Sequence, residues 1–493
     1  NASPIKKKKS ALPKPKGMEH PPFMGPSNGM RIRGVSLYYL PIETRMPLKF
    51  GTEVLTEVVV ARARLWVSNA QGEMHEGWGE TPLSVQWTWP GTLPNQERLQ
   101  AMQSFCHMLA EEWLKVEESG DALELGWQFQ EHRLKPLWEH FNRSQRQGLE
   151  PMPWLAGLIC LSLFDIALHD AFGHCNHLPT YECYSTQHLS HDLSRYLQRA
   201  PSFADSPFTE TFPADFLLKA APRTLVAWHL VGGLDPLEAE DLTGNEPEDG
   251  HPILLKDWIQ RDQLQCLKIK LRGNDAEWDY DRCIRVGQIS IHHGVRWLTA
   301  DFNCTVTDPD YVNLILDRLR DSHPRIYGML LYVEQPFPYE LAEHPIDVHS
   351  VSARKPLYLD ESAHDWKWVA RGRELGWSGV ALKTCKTQTG ALLSACWAKA
   401  HGMGLMVQDL TNPMLAQIPH VQLAARVGTI MGVETNAMQF YPDASGPEAT
   451  VHPGLYQRKG GCLELSTLEG PGLGYRLEDI QRQLPEPALD FRP

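Results

Sequence analysis

The chain has 493 residues, 42% of them hydrophobic and 22% charged, with a formal net charge of −13. That length buries a large core and predicts about two domains, the composition is ordinary for a soluble protein, and the acidic balance argues against nonspecific nucleic-acid binding. Ten cysteines lie scattered without paired metal-ligand spacing, which fits reduced thiols in a cytoplasmic protein.

Residues 1–30 are rich in Lys and Pro, with Lys6-Lys7-Lys8-Lys9 at their centre. They lack the apolar core of a signal peptide and are expected to form a disordered arm. Residues 31–150 read as an α+β unit, with alternating strands at 31–40, 54–67 and 76–79 before helical stretches at 95–118 and 127–147. Two segments, 43–51 and 79–91, read as loops that reach over the following domain. The second contains Trp87 and Trp89, whose rings either exclude water and touch a substrate or pack as ordinary cap residues. The longest apolar run, 154–164, ends at Asp165. It is too short to cross a bilayer and reads as the start of a buried helix.

Residues 151–440 then repeat strand and helix. Short apolar runs rich in Leu, Ile, Val and Tyr fall at 264–270, 295–301, 329–334, 356–360 and 379–383, as parallel strands buried on both faces require. Amphipathic stretches at 280–292, 311–322, 366–375 and 391–401 lie between them. Further strands are expected at 224–230, 404–408 and 430–433. The alternation predicts a right-handed βα barrel or a doubly wound sheet, and a count of eight favours the (β/α)8 barrel. Polar and Pro-rich segments at 201–222 and 235–251 read as insertions around the first barrel strand. Residues 441–493 form a C-terminal segment.

Five of the strands end in charge: Lys268-Ile269-Lys270, Asp301, Glu334, Asp360 and Lys383. Burying a charge costs several kcal/mol unless it is paired or bound to a metal, so the series predicts one shared site. In a barrel that site lies at the carboxyl ends of the strands. Neighbouring strands are ~5 Å apart, so three carboxylates can converge on one cation. Oxygen donors without His or Cys favour a hard ion such as Mg²⁺. Glu361, adjacent to Asp360, is expected to face away because strand side chains alternate, and Lys386 reads equally well as a surface residue.

The series resembles the enolase superfamily, and within it the muconate lactonizing enzyme-like subgroup of the mandelate racemase and muconate lactonizing enzymes. The resemblance rests on Leu267-Lys268-Ile269-Lys270, Ala300-Asp301-Phe302-Asn303, Val333-Glu334-Gln335-Pro336, Leu359-Asp360-Glu361-Ser362 and Ala381-Leu382-Lys383, and runs from about residue 31 to 477. It implies a modified TIM barrel under an α+β cap, a C-terminal segment that returns to that cap, and a homo-oligomer. It further implies Mg²⁺ on Asp301, Glu334 and Asp360, catalytic Lys268, Lys270 and Lys383, and abstraction of the proton next to the carboxylate of a small molecule. Two facing lysines would support racemisation or epimerisation, cycloisomerisation or β-elimination. Lys268 and the metal are expected to lower the pKa of Lys270 and make it the base.

The seventh strand reads Leu405-Met406-Val407-Gln408-Asp409, without the His base of the mandelate racemase-like branch. The eighth carries Glu434-Thr435-Asn436 where dipeptide epimerases of the subgroup have Asp-x-Asp. Asn303 and Glu434, with Trp87 and Trp89, complete the expected substrate contacts. Taken singly, a Lys-x-Lys is most often a solvated strand face and a carboxylate after a strand most often a helix cap. Five such features in order on successive strands favour a site. Two other readings remain: a metal-binding scaffold without catalysis, and a barrel glycosidase using Glu334 and Glu434.

Overall fold

The computed structural model describes residues 29–50 and 52–493; residues 1–28, most of the expected arm, lie outside the described residues.

An antiparallel sheet opens the fold, formed by β1 (Arg31–Phe50), β2 (Glu53–Ser68) and β3 (Met74–Pro82). Alternating burial sets its register, since the apolar residues of β2 must share one face. The expected loop at 43–51 is largely strand: β1 and β2 stay paired as far as Phe50 and Glu53, and the pair Leu48–Leu55 buries both side chains. Apolar residues at the tip explain the difference, because they carry the hairpin inward over the barrel.

The helix Trp154–Asn176 is longer than expected. It is long and apolar enough to cross a membrane, but its most apolar stretch is wholly buried inside the fold. It lies along β3 at backbone contact: a Cβ on Gly77 would stand 2.1 Å from the carbonyl oxygen of Ala167. On its other side Asp165 accepts hydrogen bonds from the backbone N–H and the hydroxyl of Thr389, each at 2.8 Å. Thr389 opens the helix Gln388–Ala400, so this one helix ties the first sheet to the second domain.

Eight parallel strands follow: β4 (Thr224–Val231), β5 (Cys266–Lys270), β6 (Trp297–Asp301), β7 (Leu330–Glu334), β8 (Leu357–Leu359), β9 (Gly379–Leu382), β10 (Gly404–Val407) and β11 (Val433–Glu434). They pair in the order β10-β9-β8-β7-β6-β5-β4-β11. Ile430 N donates to Leu405 O at 2.7 Å across the remaining gap, so the curled sheet comes round on itself as an (β/α)8-type barrel. The last strand starts later than expected because Gly432 takes a left-handed turn (φ 53°), with a Cβ there excluded by the Val226 carbonyl 1.9 Å away. β12 (Cys462–Glu464) pairs antiparallel with the first residues of β4, Thr224 to Val226, and β13 (Leu489–Phe491) returns to pair with β1.

The inserted segments bind the layers together. Phe203 and Phe208 pack around His401 at the end of the helix Gln388–Ala400. Asp249 meets Arg45 of the β1–β2 hairpin at 2.6 Å.

Candidate active site

The parallel ladder does most of the placing. Lys270 of β5 pairs in register with Asp301 of β6, and Asp301 with Glu334 of β7. Three charged ends therefore stand side by side at the carboxyl ends of the strands. Lys268, two residues back on the same face, and Glu434, ending β11, complete one half of the ring. β8 stops at Leu359, one residue short of the expected end. Asp360 and Glu361 are thus in a turn, where alternation no longer sends successive side chains to opposite faces.

Lys268 Nζ lies at the centre, 2.7 Å from Glu334, 3.0 Å from Asp301 and 3.1 Å from Glu434. Lys270 Nζ is 2.5 Å from Asp301. Across the ring, Lys383 Nζ is 3.1 Å from Asp360 and donates to Asp409 O at 3.2 Å. Lys386 is buried and donates to the carbonyl oxygen of Asp360, which corrects the surface reading. Gln408 donates to Glu334 Oε2 and to the Tyr332 hydroxyl. Asn436 donates to Asp409 at 2.9 Å and to Glu434 at 2.8 Å. Sequence reasoning passed over Gln408, Asp409 and Asn436; polar residues directly after apolar strands were the available signal.

From the cap, Trp87 reaches the site. Its indole ring lies 5.0 Å from Lys383 Nζ and 5.6 Å from Lys386 Nζ, and its Nε1 donates to Glu361 at 2.9 Å. Glu361 is therefore turned into the site and not away from it. Trp89 is not there. Its indole bonds Glu150 at 2.8 Å and its ring packs under Arg146, so it is a cap residue, held by side chains remote from it in sequence. Asn303 takes a left-handed backbone (φ 48°), which lets its N–H cap the Asp301 carboxylate at 2.9 Å. Its side-chain oxygen is buried without a partner.

Lys268, Lys270, Lys383, Asp360 and Glu434 border one cavity of about 40 Å³, roofed by Leu48, Phe50 and Trp87. Six carboxyl groups lie at or behind its walls, Asp360, Asp409 and Glu434 bordering it and Asp301, Glu334 and Glu361 joined to bordering residues, against four lysines, Lys268, Lys270 and Lys383 bordering it and Lys386 behind Asp360. The excess of two negative charges shows in their protonation. Burial, then the charge of Asp301, holds Glu334 well above the usual carboxylate range. Burial and Asp360 push Glu361 to about 7, and burial and Glu434 do the same to Asp409. Asp301 and Asp360 go the other way: burial would raise both, but Lys270 and Lys268 outweigh it at Asp301, and Lys383 and Lys386 at Asp360.

Two of the lysines hold their charge firmly. Burial disfavours their charge, but Glu334, Glu434 and Asp301 outweigh it and hold Lys268 far above the ordinary lysine value. Asp360 raises Lys383 in the same way. Among the described residues no three His, Cys, Asp or Glu groups stand together as a ready cage for an ion; the Lys268 ammonium takes the place between Asp301 and Glu334. The donor set nonetheless fits a divalent cation: hard carboxylate oxygens, and a charge deficit of two that protons now partly fill.

Residues 254–481 match the family of enolase C-terminal domain-like domains. The match takes in the barrel from β5 onward, so this part of the chain is similar to enolase C-terminal domains. No curated protein matches the chain. Among solved structures this chain is similar to the L-Ala-D/L-Glu epimerase of Bacillus subtilis, at 16% identity and a TM-score of 0.55 over 93% of this chain and 100% of that one. The muconate lactonizing enzyme of Pseudomonas fluorescens, complexed with muconolactone, gives 17% and 0.55 over 92% and 99%. The N-succinyl Arg/Lys racemase of Bacillus cereus gives 14% and 0.58 over 93% and 99%. At such identities the likeness extends to the fold, cap and barrel together.

Proposed function

We propose that this protein is an enolase-superfamily enzyme that moves the proton α to the carboxylate of a small molecule, with Mg²⁺ as its cofactor. One observation carries the reading. Lys270 ends β5 and Lys383 follows β9, the three carboxylates Asp301, Glu334 and Asp360 lie on and after the strands between them, and both lysines border one small cavity.

Asp301, Glu334 and Asp360 would hold the metal. Bound there, a divalent cation supplies the positive charge that stabilises the negative charge growing on the substrate carboxylate as its α-proton leaves. Lys268, held by three carboxylates, keeps its proton and acts as a fixed positive charge. Lys270 has a single carboxylate partner and takes the proton on its face of the substrate. Lys383 carries a proton ready for delivery on the other face. Leu48, Phe50 and Trp87 exclude water from the cavity, which strengthens every one of these interactions.

Proton transfer on both faces gives racemisation or epimerisation. The hold of Asp360 on the Lys383 proton favours a second reading, in which Lys383 only stabilises charge and the product arises by cycloisomerisation or β-elimination. A glycosidase pairing of Glu334 with Glu434 has no support, because Lys268 binds both. The test is α-proton exchange in deuterium oxide with Mg²⁺, followed by NMR across a panel of carboxylic acids, N-acyl amino acids and lactones. Exchange that depends on Mg²⁺ is expected for some members; metal bound without exchange of any α-proton would favour a scaffold instead.

A further inference from the structure

Beside the lysine-lined cavity lies a larger one of about 250 Å³, bordered by Phe50, Trp87, Asn303, Cys304, Tyr339 and Glu361 among others. Phe50 and Trp87 border both, so the two spaces adjoin. A substrate held between the lysines has this larger space beside it.

Its chemistry is specific. Glu361 is only 4% exposed, and Trp87 fixes its Oε1, which sets the direction of Oε2. No N–H or O–H group donates to that second oxygen or to Asn303 Oδ1, the weakly donating Cys304 thiol being the neighbour of Glu361 there, and both residues border the cavity. A buried acceptor left unmet costs about 1–3 kcal/mol, so two beside one cavity call for a donor. Around them Phe50, Trp87, Pro90, Pro338 and Tyr339 give apolar and aromatic wall, and Thr52, Glu53, Gln86 and Thr305 give polar wall; aromatic faces suit a cationic or N–H group. At the opposite end of the site Glu434 offers nothing comparable, since Lys268 takes one of its oxygens and Asn436 the other.

We propose that this second cavity is the specificity pocket of the enzyme and takes an amine-bearing substituent of the substrate, with Glu361 Oε2 and Asn303 Oδ1 accepting its N–H groups between aromatic walls. That it serves a substrate rests on the proton-transfer reading; that it binds an amine does not.

Benzylamine, which has no carboxylate and no acidic α-proton of that kind, probes the pocket alone. Its binding to the full chain is followed through the indole N–H resonance of Trp87, assigned by its loss in Trp87→Phe, with benzyl alcohol as the control. Benzylamine should shift that resonance saturably and bind at least about 10-fold more tightly than benzyl alcohol, the scale of one charge-assisted hydrogen bond. Glu361→Met should abolish the preference, and Lys270→Ala should keep it. Equal binding of the two probes, or no saturable shift of the Trp87 resonance, overturns the proposal, and both are read on the native chain even if Glu361→Met fails to fold. Amine binding without α-proton exchange of any carboxylate would leave the pocket standing and remove the proton-transfer reading; exchange without amine preference would do the reverse.

Discussion

Gly79 of the cap sheet and Leu163 of the long buried helix touch through their backbones: a Cβ on Gly79 would stand 2.0 Å from the Leu163 carbonyl oxygen. Neither backbone can retreat, because β3 is paired along its length with β2 and the helix is fixed to the barrel through Asp165 and Thr389. Gly79→Ala is therefore expected to destabilise the fold by about 1–3 kcal/mol, as overpacking does elsewhere. A denaturation midpoint equal to that of the parent would show that the sheet and helix can move apart.

The metal reading predicts that Asp301→Asn keeps the far-ultraviolet circular dichroism of the parent and loses Mg²⁺ affinity. Even residues outside the direct ligand set change metal affinity by about 10- to 100-fold, so at least that loss is expected by calorimetry. Unchanged affinity would remove Asp301 from the ligand set.

The two lysines make separable predictions. For a racemase or epimerase, Lys270→Ala should retain α-proton exchange with one substrate enantiomer and Lys383→Ala with the other. For a cycloisomerase or an eliminating enzyme, only one lysine should be essential, and loss of the other should slow turnover by roughly 10²- to 10³-fold, the scale of one charge-stabilising group. Exchange in deuterium oxide with each variant decides between these outcomes. Full activity in either variant would rule out the facing pair.

His420 sets a pH dependence away from the lysines. It is buried, its Nε2 bonds Glu434 O at 2.6 Å, and burial lowers its pKa to about 4. An unfolded histidine protonates near its ordinary value of about 6.5. Between the two values the unfolded chain binds a proton that the folded chain refuses, so the contribution of His420 is present above that window and is lost as the pH falls through it. The stability difference between the parent and His420→Gln should shift against the parent on acidification, by up to about 1.4 kcal/mol per pH unit. A difference independent of pH would mean that His420 is protonated in the folded protein.

Much of the barrel was legible because its strands are apolar runs that end in charge, a pattern with few inexpensive structural explanations. Lys268, Lys270, Asp301, Glu334, Asp360 and Lys383 all meet around one cavity for that reason. What escaped notice sits just beyond strand ends. Glu361 was assigned by alternation and Lys386 by its place at a helix start, yet β8 ends early and the chain there turns Glu361 inward, and the turn Thr384–Lys386 after β9 brings Lys386 in. Trp89 was read with Trp87 because they are two residues apart, while Glu150 and Arg146, which hold Trp89 in the cap, come from a distant stretch. The carboxylates that raise Lys268 and Lys383 arrive from other strands and become neighbours only after folding.

The return of β13 to the first sheet has a consequence for biosynthesis. Val35 and Leu37 lie opposite Phe491 and Leu489, so this edge of the sheet stays bare until residues 489–491 have left the ribosome. Unpaired strand edges invite pairing with other chains. The N-terminal sheet therefore passes translation as an open template, and a short peptide spanning residues 487–493 would compete for the place that its own C-terminal strand must reach.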